Sequence, residues 1–236
     1  MKKSNGVYYF PFALAGFSTR AVGSVKHGNK FDRRFIEQLS HVIGSSKQIT
    51  YMVQKHTTNI EIVKKDSASE IFNTDGLITQ EKNKVLLAVT ADCVPIVMYD
   101  SVKKIIGVVH AGYKGILLGI VENMIKKFIK LGSELSNIKI GIGPSIGVCC
   151  YDVSKDRIEQ FKQRYPGFKN FFQKKHALYF LDLQSIVLQI LKQFKVQNKN
   201  IERVNLCTSC NNEQFFSYRK DSNKTFGEFA TFIGMI

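Results

Sequence analysis

The chain has 236 residues, 44% hydrophobic and 22% charged, enough for one large α/β domain or two small ones with a core that needs no disulfide staples. Its 34 Lys+Arg against 19 Asp+Glu give a formal charge of +15. The basic residues are spread rather than clustered and carry no basic–aromatic RNA-binding signature, so a specific nucleic-acid partner is not expected.

In chain order, β-branched or aromatic runs bounded by turn residues predict strands at 7–10, 15–19, 49–54, 60–63, 84–90, 95–99, 104–109, 138–142, 179–181, 203–207, 215–219 and 229–235. Apolar residues at helical spacing predict helices at 33–43, 116–131 and 183–194, with Gly132 ending the second. A further helix at 155–164 stops before Pro166. There is no repeat, low-complexity tract or Pro/Ser-rich linker, so residues 1–236 read as a single domain. Many strands with few helices, not strictly alternating, indicate an α+β (mixed α/β) architecture.

No membrane-length apolar run and no signal-like h-region are visible, and the five cysteines cannot all pair within the chain. A reducing, cytoplasmic setting with free thiols is expected. His27, His41 and His176 sit in polar or helical settings and read as ordinary surface or half-buried histidines. His56, after ITYMVQK, and His110, after KIIGVV, are different, because each follows a strand. Cys93 lies between LLAVTA and VPIVMY, also at a strand end. Two imidazoles and a thiolate on one sheet rim suit zinc, and three protein ligands leave the fourth position open, as in catalytic sites. The spacing matches neither CxxC…CxxC nor HExxH. Cys93 therefore stays open between core thiol, nucleophile and metal ligand.

The turn HAGYKG holds Gly112, Lys114 and Gly115 ahead of a helix, an arrangement that favours an anion. Asp75 in TDGLIT and Asp92 lie near the same strand ends, where each could orient a histidine, act as a general base, or simply form a turn. In FFSYRKD the two-residue period puts Ser217 and Arg219 on one strand face, with Arg219 as an anion clamp or a plain surface arginine. Cys207 and Cys210 form CTSC, and Cys149–Cys150 is an adjacent pair. Without a second CxxC or a His pair close in sequence, all four read as packing thiols.

Taken in order, FSTR, QKHTTNIEIV, TDGLIT, TADCVPIVMYD, VVHAGYKG, IGPSIGVCCYDV, LDL, CTSC and FFSYRKD resemble the YfiH-like, laccase-domain family of purine nucleoside phosphorylases, once called polyphenol oxidases. The resemblance runs from Gly16 to the C-terminus. It implies a catalytic zinc on His56, Cys93 and His110, with copper as the other metal to consider. It also implies a four-layer α–β–β–α fold shared with bacterial deamidases that use a Cys–His pair. The implied activity is phosphorolysis of adenosine, inosine, guanosine and methylthioadenosine, with some adenosine deamination. A purine nucleoside and phosphate are then the binding partners. Arg20, Gln54, Ser217, Lys114, Arg219 and the Gly112–Gly115 backbone would bind substrate or phosphate, with Asp75 and Asp92 for proton transfer. The chain departs from the family with HAGYKG for HAGWRG and with Glu228 where the tail usually carries a basic residue. Three rival readings are a Cys93–His110 thiol hydrolase or deamidase on the same fold, a copper oxidase, and a basic nucleic-acid binder. A multicopper laccase needs about ten histidines, and this chain has five. Whether the protein is a monomer or a homodimer is left open by the sequence.

Overall fold

Strand Lys84–Thr90 is buried along its whole length, and its alternation shows how the layers are stacked. Leu86 and Ala88 point into one apolar cluster and Val85, Leu87 and Val89 into another. A strand buried on both faces needs a layer on each side. The computed structural model, which describes residues 1–27, 30–222 and 225–235, supplies both. The side chain of His27 lies outside the described residues.

Lys84–Thr90 belongs to a seven-stranded mixed sheet in the order Lys2–Ser4, Val7–Tyr9, Leu14–Ser18, Phe229–Gly234, Lys84–Thr90, Gln48–Val53, Glu70–Phe72. A six-stranded mixed sheet runs Ile201–Arg203, Ile138–Ile142, Val94–Asp100, Ile105–Ala111, Gly76–Thr79, Ile60–Ile62. Phe17, Leu86, Phe229 and Ile233 of the first sheet meet Leu77, Val97, Ile106 and Val108 of the second in a central apolar layer. Helix Arg33–Val42 covers the outer face of the seven-stranded sheet through Phe35 and Leu39. On the outer face of the other sheet, Met124 and Phe128 of helix Ile120–Lys130 and Ile186 and Ile190 of helix Leu183–Gln193 pack on Ile96, Met98 and Val109. The stack is α–β–β–α, as the family resemblance implies. Gly107 belongs to this packing: a Cβ there would come within 2.8 Å of the Phe128 ring. No helix among the described residues is long and apolar enough to cross a membrane.

Three expectations need correction. The helix expected over 116–131 is two helices, Tyr113–Leu118 and Ile120–Lys130, broken where Gly119 takes φ +93°. That left-handed conformation suits glycine and ends the first helix. The strand expected at 203–207 is instead Ile201–Arg203, after which the chain leaves the sheet. The strand expected at 215–219 is a turn. Phe215 and Phe216 enter the central layer, which explains the apolar signal. The Asp221 carboxylate then accepts the Ser217 N–H at 2.8 Å, and the Asp221 N–H donates to Ser217 O at 2.8 Å. These local bonds replace a ladder.

Candidate metal centre and catalytic cleft

The rim of the paired sheets gathers the site. His56 follows strand Gln48–Val53, and His110 stands one residue from the end of Ile105–Ala111. Cys93 lies in the bend that carries the chain from Lys84–Thr90 in one sheet to Val94–Asp100 in the other. That crossover brings a residue between two sheets next to a residue at the end of a third strand. Antiparallel pairing of Pro95 with His110 sets the register.

Cys93 Sγ is 3.7 Å from His56 Nε2, and the two histidine rings meet edge to face with centroids 4.8 Å apart. The three candidate ligand atoms all lie within 4.8 Å of one another. Around one tetrahedral zinc, bonds of about 2.0 Å to nitrogen and 2.3 Å to sulfur put N and S about 3.5 Å apart. The donor set and its spacing therefore fit a metal ion. Gly112 keeps the space clear, since a Cβ there would stand 2.6 Å from His56 Cδ2 and 3.1 Å from Cys93 Sγ. Its role is room for the ligands.

Asp75 organises this cluster from behind. Its buried carboxylate accepts from His110 Nδ1 at 2.8 Å, from the N–H groups of Lys55, His56 and Thr57, and from the Thr57 hydroxyl at 2.8 Å. It fixes the His110 ring and the backbone that carries His56, as outer partners of metal ligands do. Burial alone would raise the Asp75 carboxyl, but the His110 ring and the Thr57 donors outweigh it and bring it down to about 2. With no ion bound, burial opposes charge on His110, yet the Cys93 thiolate and Asp75 push it up to about 10. Burial would also raise the Cys93 thiol, but His110 and His56 lower it to about 7. The metal-free cluster thus favours a thiolate–imidazolium pair. Two site residues hold left-handed backbone, His56 at φ +58° and Asp92 at φ +90°. Such strain costs about 1–3 kcal/mol each and concentrates at functional sites.

The cluster opens on a cleft of about 370 Å³, within the range of small-molecule sites. His56, Cys93, His110 and Asp92 line its floor, and Tyr113, Tyr151, Tyr218 and Phe226 supply aromatic walls. Arg157 and Arg219 bring positive charge, with Glu228 and Leu183 also present. The Arg157 guanidinium lies 3.9 Å over the Tyr113 ring and that of Arg219 lies 5.0 Å over Tyr151. Asp92 is buried, which pushes its carboxyl up, while the Thr208 hydroxyl at 2.6 Å and the Arg219 N–H at 2.8 Å pull the other way. The Ser217 hydroxyl is buried and turned toward Asp92 without a hydrogen bond of good geometry.

Several residues expected at the site stand apart from it. Arg20 spends its guanidinium on the Asp221 carboxylate and on the carbonyls of Asn212, Phe215 and Thr225, at 2.6, 3.0 and 3.2 Å. It anchors the loop that follows Cys210. Gln54 exchanges both amide bonds with the Val89 backbone, at 2.8 and 3.0 Å, and so extends the sheet pairing. Lys114 is exposed and does not line the cleft. Gly115 is buried, where a Cβ would press on Thr57 O at 3.3 Å. Arg219 does line the cleft, but in a turn, with its guanidinium on the Asp152 carboxylate at 2.6 Å.

Sequence reasoning missed Arg157 and Tyr151. Helix Lys155–Arg164 was legible, yet its charged face has no motif that marks Arg157 over its neighbours. The four other cysteines, expected to be separate packing thiols, lie together instead.

The sequence profile described as multi-copper polyphenol oxidoreductase laccase matches residues 15–236. A human protein named purine nucleoside phosphorylase LACC1 is 30% identical over 99% of this chain, which spans 54% of that longer relative. A purine nucleoside phosphorylase of Borreliella burgdorferi is 34% identical over 93% of this chain and 94% of its own length. A prokaryotic protein of unknown source named adenosine deaminase RL5 is 30% identical over 71% of the chain and 65% of its own. Among solved structures, YlmD from Geobacillus stearothermophilus superposes with a TM-score of 0.89 at 25% identity, covering 100% of this chain and 98% of that one. With its rim cluster, its layered fold and a match across nearly its whole length, the chain belongs to the multi-copper polyphenol oxidoreductase laccase family.

Proposed function

We propose that the protein is a zinc-dependent purine nucleoside phosphorylase, which cleaves adenosine, inosine, guanosine or methylthioadenosine with phosphate to the free base and ribose 1-phosphate. The supporting observation is one cleft that combines an open three-ligand cluster with aromatic walls and two arginines. A planar base and an anion need those two kinds of wall. The names of the similar proteins point the same way.

His56, Cys93 and His110 would hold the zinc. Zinc bound there would supply Lewis-acid polarisation of a substrate atom, or activation of a water for adenosine deamination. The chain's own residues do the rest. Tyr113, Tyr151 and the exposed Tyr218 offer faces against which a purine stacks. Arg157 and Arg219 attract phosphate, with Arg219 exchanging its exposed Asp152 partner for the anion. Glycosidic cleavage builds electron density on the purine, so a proton donor at the leaving base lowers the barrier. Asp92, its carboxyl raised by burial, holds a proton nearer neutrality than an ordinary aspartate does. Asp75, its carboxyl brought down to about 2, stays ionised and serves as the anchor of His110.

Purified protein incubated with inosine and phosphate should release hypoxanthine and ribose 1-phosphate. Turnover should be lost in Asp92→Asn and in His110→Ala. Failure of the zinc-loaded protein to turn over any of the four nucleosides sinks the reading.

A second reading rests on the thiolate–imidazolium pair. Cys93, His110 and Asp75 stand in the order nucleophile, base and orienter, which suits attack on an amide or ester and would extend the kinship to Cys–His deamidases. Metal separates the two. If the chelated protein is active and iodoacetamide on Cys93 kills it, the thiol reading holds. If activity follows zinc, the phosphorolysis reading holds. A copper oxidase is disfavoured by the same five histidines, of which the cluster uses two.

A further inference from the structure

Four cysteines lie outside the cleft's ligand cluster, and the fold brings all of them together. Cys149 and Cys150 sit in the turn after strand Ile138–Ile142, and Cys207 and Cys210 in the turns after Ile201–Arg203. The two strands pair in parallel, and an isolated bridge from Ser145 to Cys207 carries the pairing past their ends. The turns are therefore held side by side although 56 residues separate Cys150 from Cys207.

We propose that Cys149, Cys150, Cys207 and Cys210 form a second metal site, a closed tetrathiolate that binds one structural zinc ion. Cys210 Sγ is 3.5 Å from Cys149 Sγ and 3.4 Å from Cys150 Sγ, and all four sulfurs lie within 4.8 Å of one another. A zinc with four bonds of about 2.3 Å sets its sulfurs about 3.8 Å apart. A disulfide needs about 2.05 Å, and all four thiols are free here. The cluster has the size of a coordination sphere and is too open for two disulfides.

Two further observations belong to a thiolate site. The Gly147 N–H donates to Cys207 Sγ at 3.2 Å, the kind of outer bond that stabilises a metal-bound sulfur. Glycine at 147 also leaves the sulfurs room, since a Cβ there would lie a tight 3.2 Å from Cys149 Sγ and from Cys207 Cβ. Cys149 and Cys210 are exposed, so an ion has a way in. Four sulfur ligands leave no position for substrate, which marks the site as structural.

Its position gives it a purpose. Thr208, inside the CTSC turn, donates to Asp92 at 2.6 Å. Ile146 and Tyr151, on either side of the other pair, line the cleft. Zinc joining the two turns would hold Asp92's partner and one cleft wall in register.

The test reads metal rather than turnover, so its result is independent of the phosphorolysis proposal. Protein purified under reducing conditions and analysed by mass spectrometry for metals should carry two zinc ions per chain. Cys93→Ser should carry one, and so should Cys207→Ser. After cobalt exchange, the intense thiolate charge-transfer bands should fall only by the single-thiolate share of the rim site in Cys93→Ser and drop to about that share in Cys207→Ser. Wild-type protein decides the matter even if Cys207→Ser does not fold. The proposal is overturned by one zinc per wild-type chain with Cys149, Cys150, Cys207 and Cys210 all rapidly alkylated in the native state. It is overturned equally by a disulfide linking the two turns, or by iron in place of the second zinc.

Discussion

The rim cluster of His56, Cys93 and His110 and the turn cluster of four cysteines are both groups of metal-ligating side chains drawn from distant sequence. They differ in what surrounds them. The rim cluster mixes nitrogen with sulfur, stops at three donors and faces a cleft. A buried carboxylate steadies it, and strained backbone is held by one of its ligands, His56, and by Asp92 next to Cys93. The turn cluster is all sulfur, has four donors, and is steadied by a backbone N–H. An open coordination position, a charged outer shell and stored strain serve reactivity, whereas a full set of identical donors on two turns serves as a staple.

The largest expected effect comes from removing a rim ligand. His110→Ala should bring phosphorolysis to background, beyond the roughly 100-fold that loss of an outer partner costs. It should also lower zinc by one ion while leaving the cobalt spectrum of the four cysteines intact. If His110→Ala instead empties both clusters, they are not separate sites. Next comes Gly112→Ala, whose new Cβ would meet His56 Cδ2 at 2.6 Å. Overpacking of that kind costs about 1–3 kcal/mol, or about 5- to 150-fold in affinity. The loss should appear in a zinc-competition titration of the rim site. Affinity equal to wild type would mean that Gly112 is not what makes room for the ligands. Asp75→Asn should cost about 10–100-fold in rim metal affinity or activity, the usual price of an outer-shell partner. A change confined to the pH profile of kcat, with metal affinity kept, would return Asp75 to proton transfer.

The sequence exposed these regions unevenly, for physical reasons. The strands around Cys93 and His110 are buried on both faces, so apolar runs with sharp ends marked them, and the reactive residues stood out at those ends. The layer order followed from the family likeness, while the strand order depends on long-range pairing that no local pattern records. Strand Gly76–Thr79 was hidden because its TDG start reads as a turn, although it lies inside the six-stranded sheet. Phe215 and Phe216 imitated a strand because they reach the core from a turn. The four cysteines read as unrelated because their meeting depends on one parallel strand pair and one bridge. Arg20 looked like a phosphate ligand because the family resemblance, carried there by FSTR, implied one. Its anion in the structure is Asp221.

The smallest expected effect tests this last point. Burial would raise the Asp221 carboxyl, but the Ser217 N–H, Asn212 and Arg20 hold it below the usual aspartate range. A carboxyl lowered on folding stabilises the fold fully above its unfolded value of about 3.9, and that contribution is lost as pH falls through the folded value. Asp221→Asn should therefore cost about 1–3 kcal/mol at pH 7, as expected for a lost charge-assisted hydrogen bond. Urea unfolding of wild type and variant should converge as pH drops below about 4. Zinc content should not change, because the loop is bonded to neither cluster through Asp221. Activity should fall only a few-fold, through looser placement of Ser217 and Arg219 beside Asp92. The opposite pattern would be unchanged urea midpoints with a raised KM for phosphate in Arg20→Ala. That result would place the Arg20 guanidinium in the cleft during turnover, and the loop would have to open for the anion to reach it.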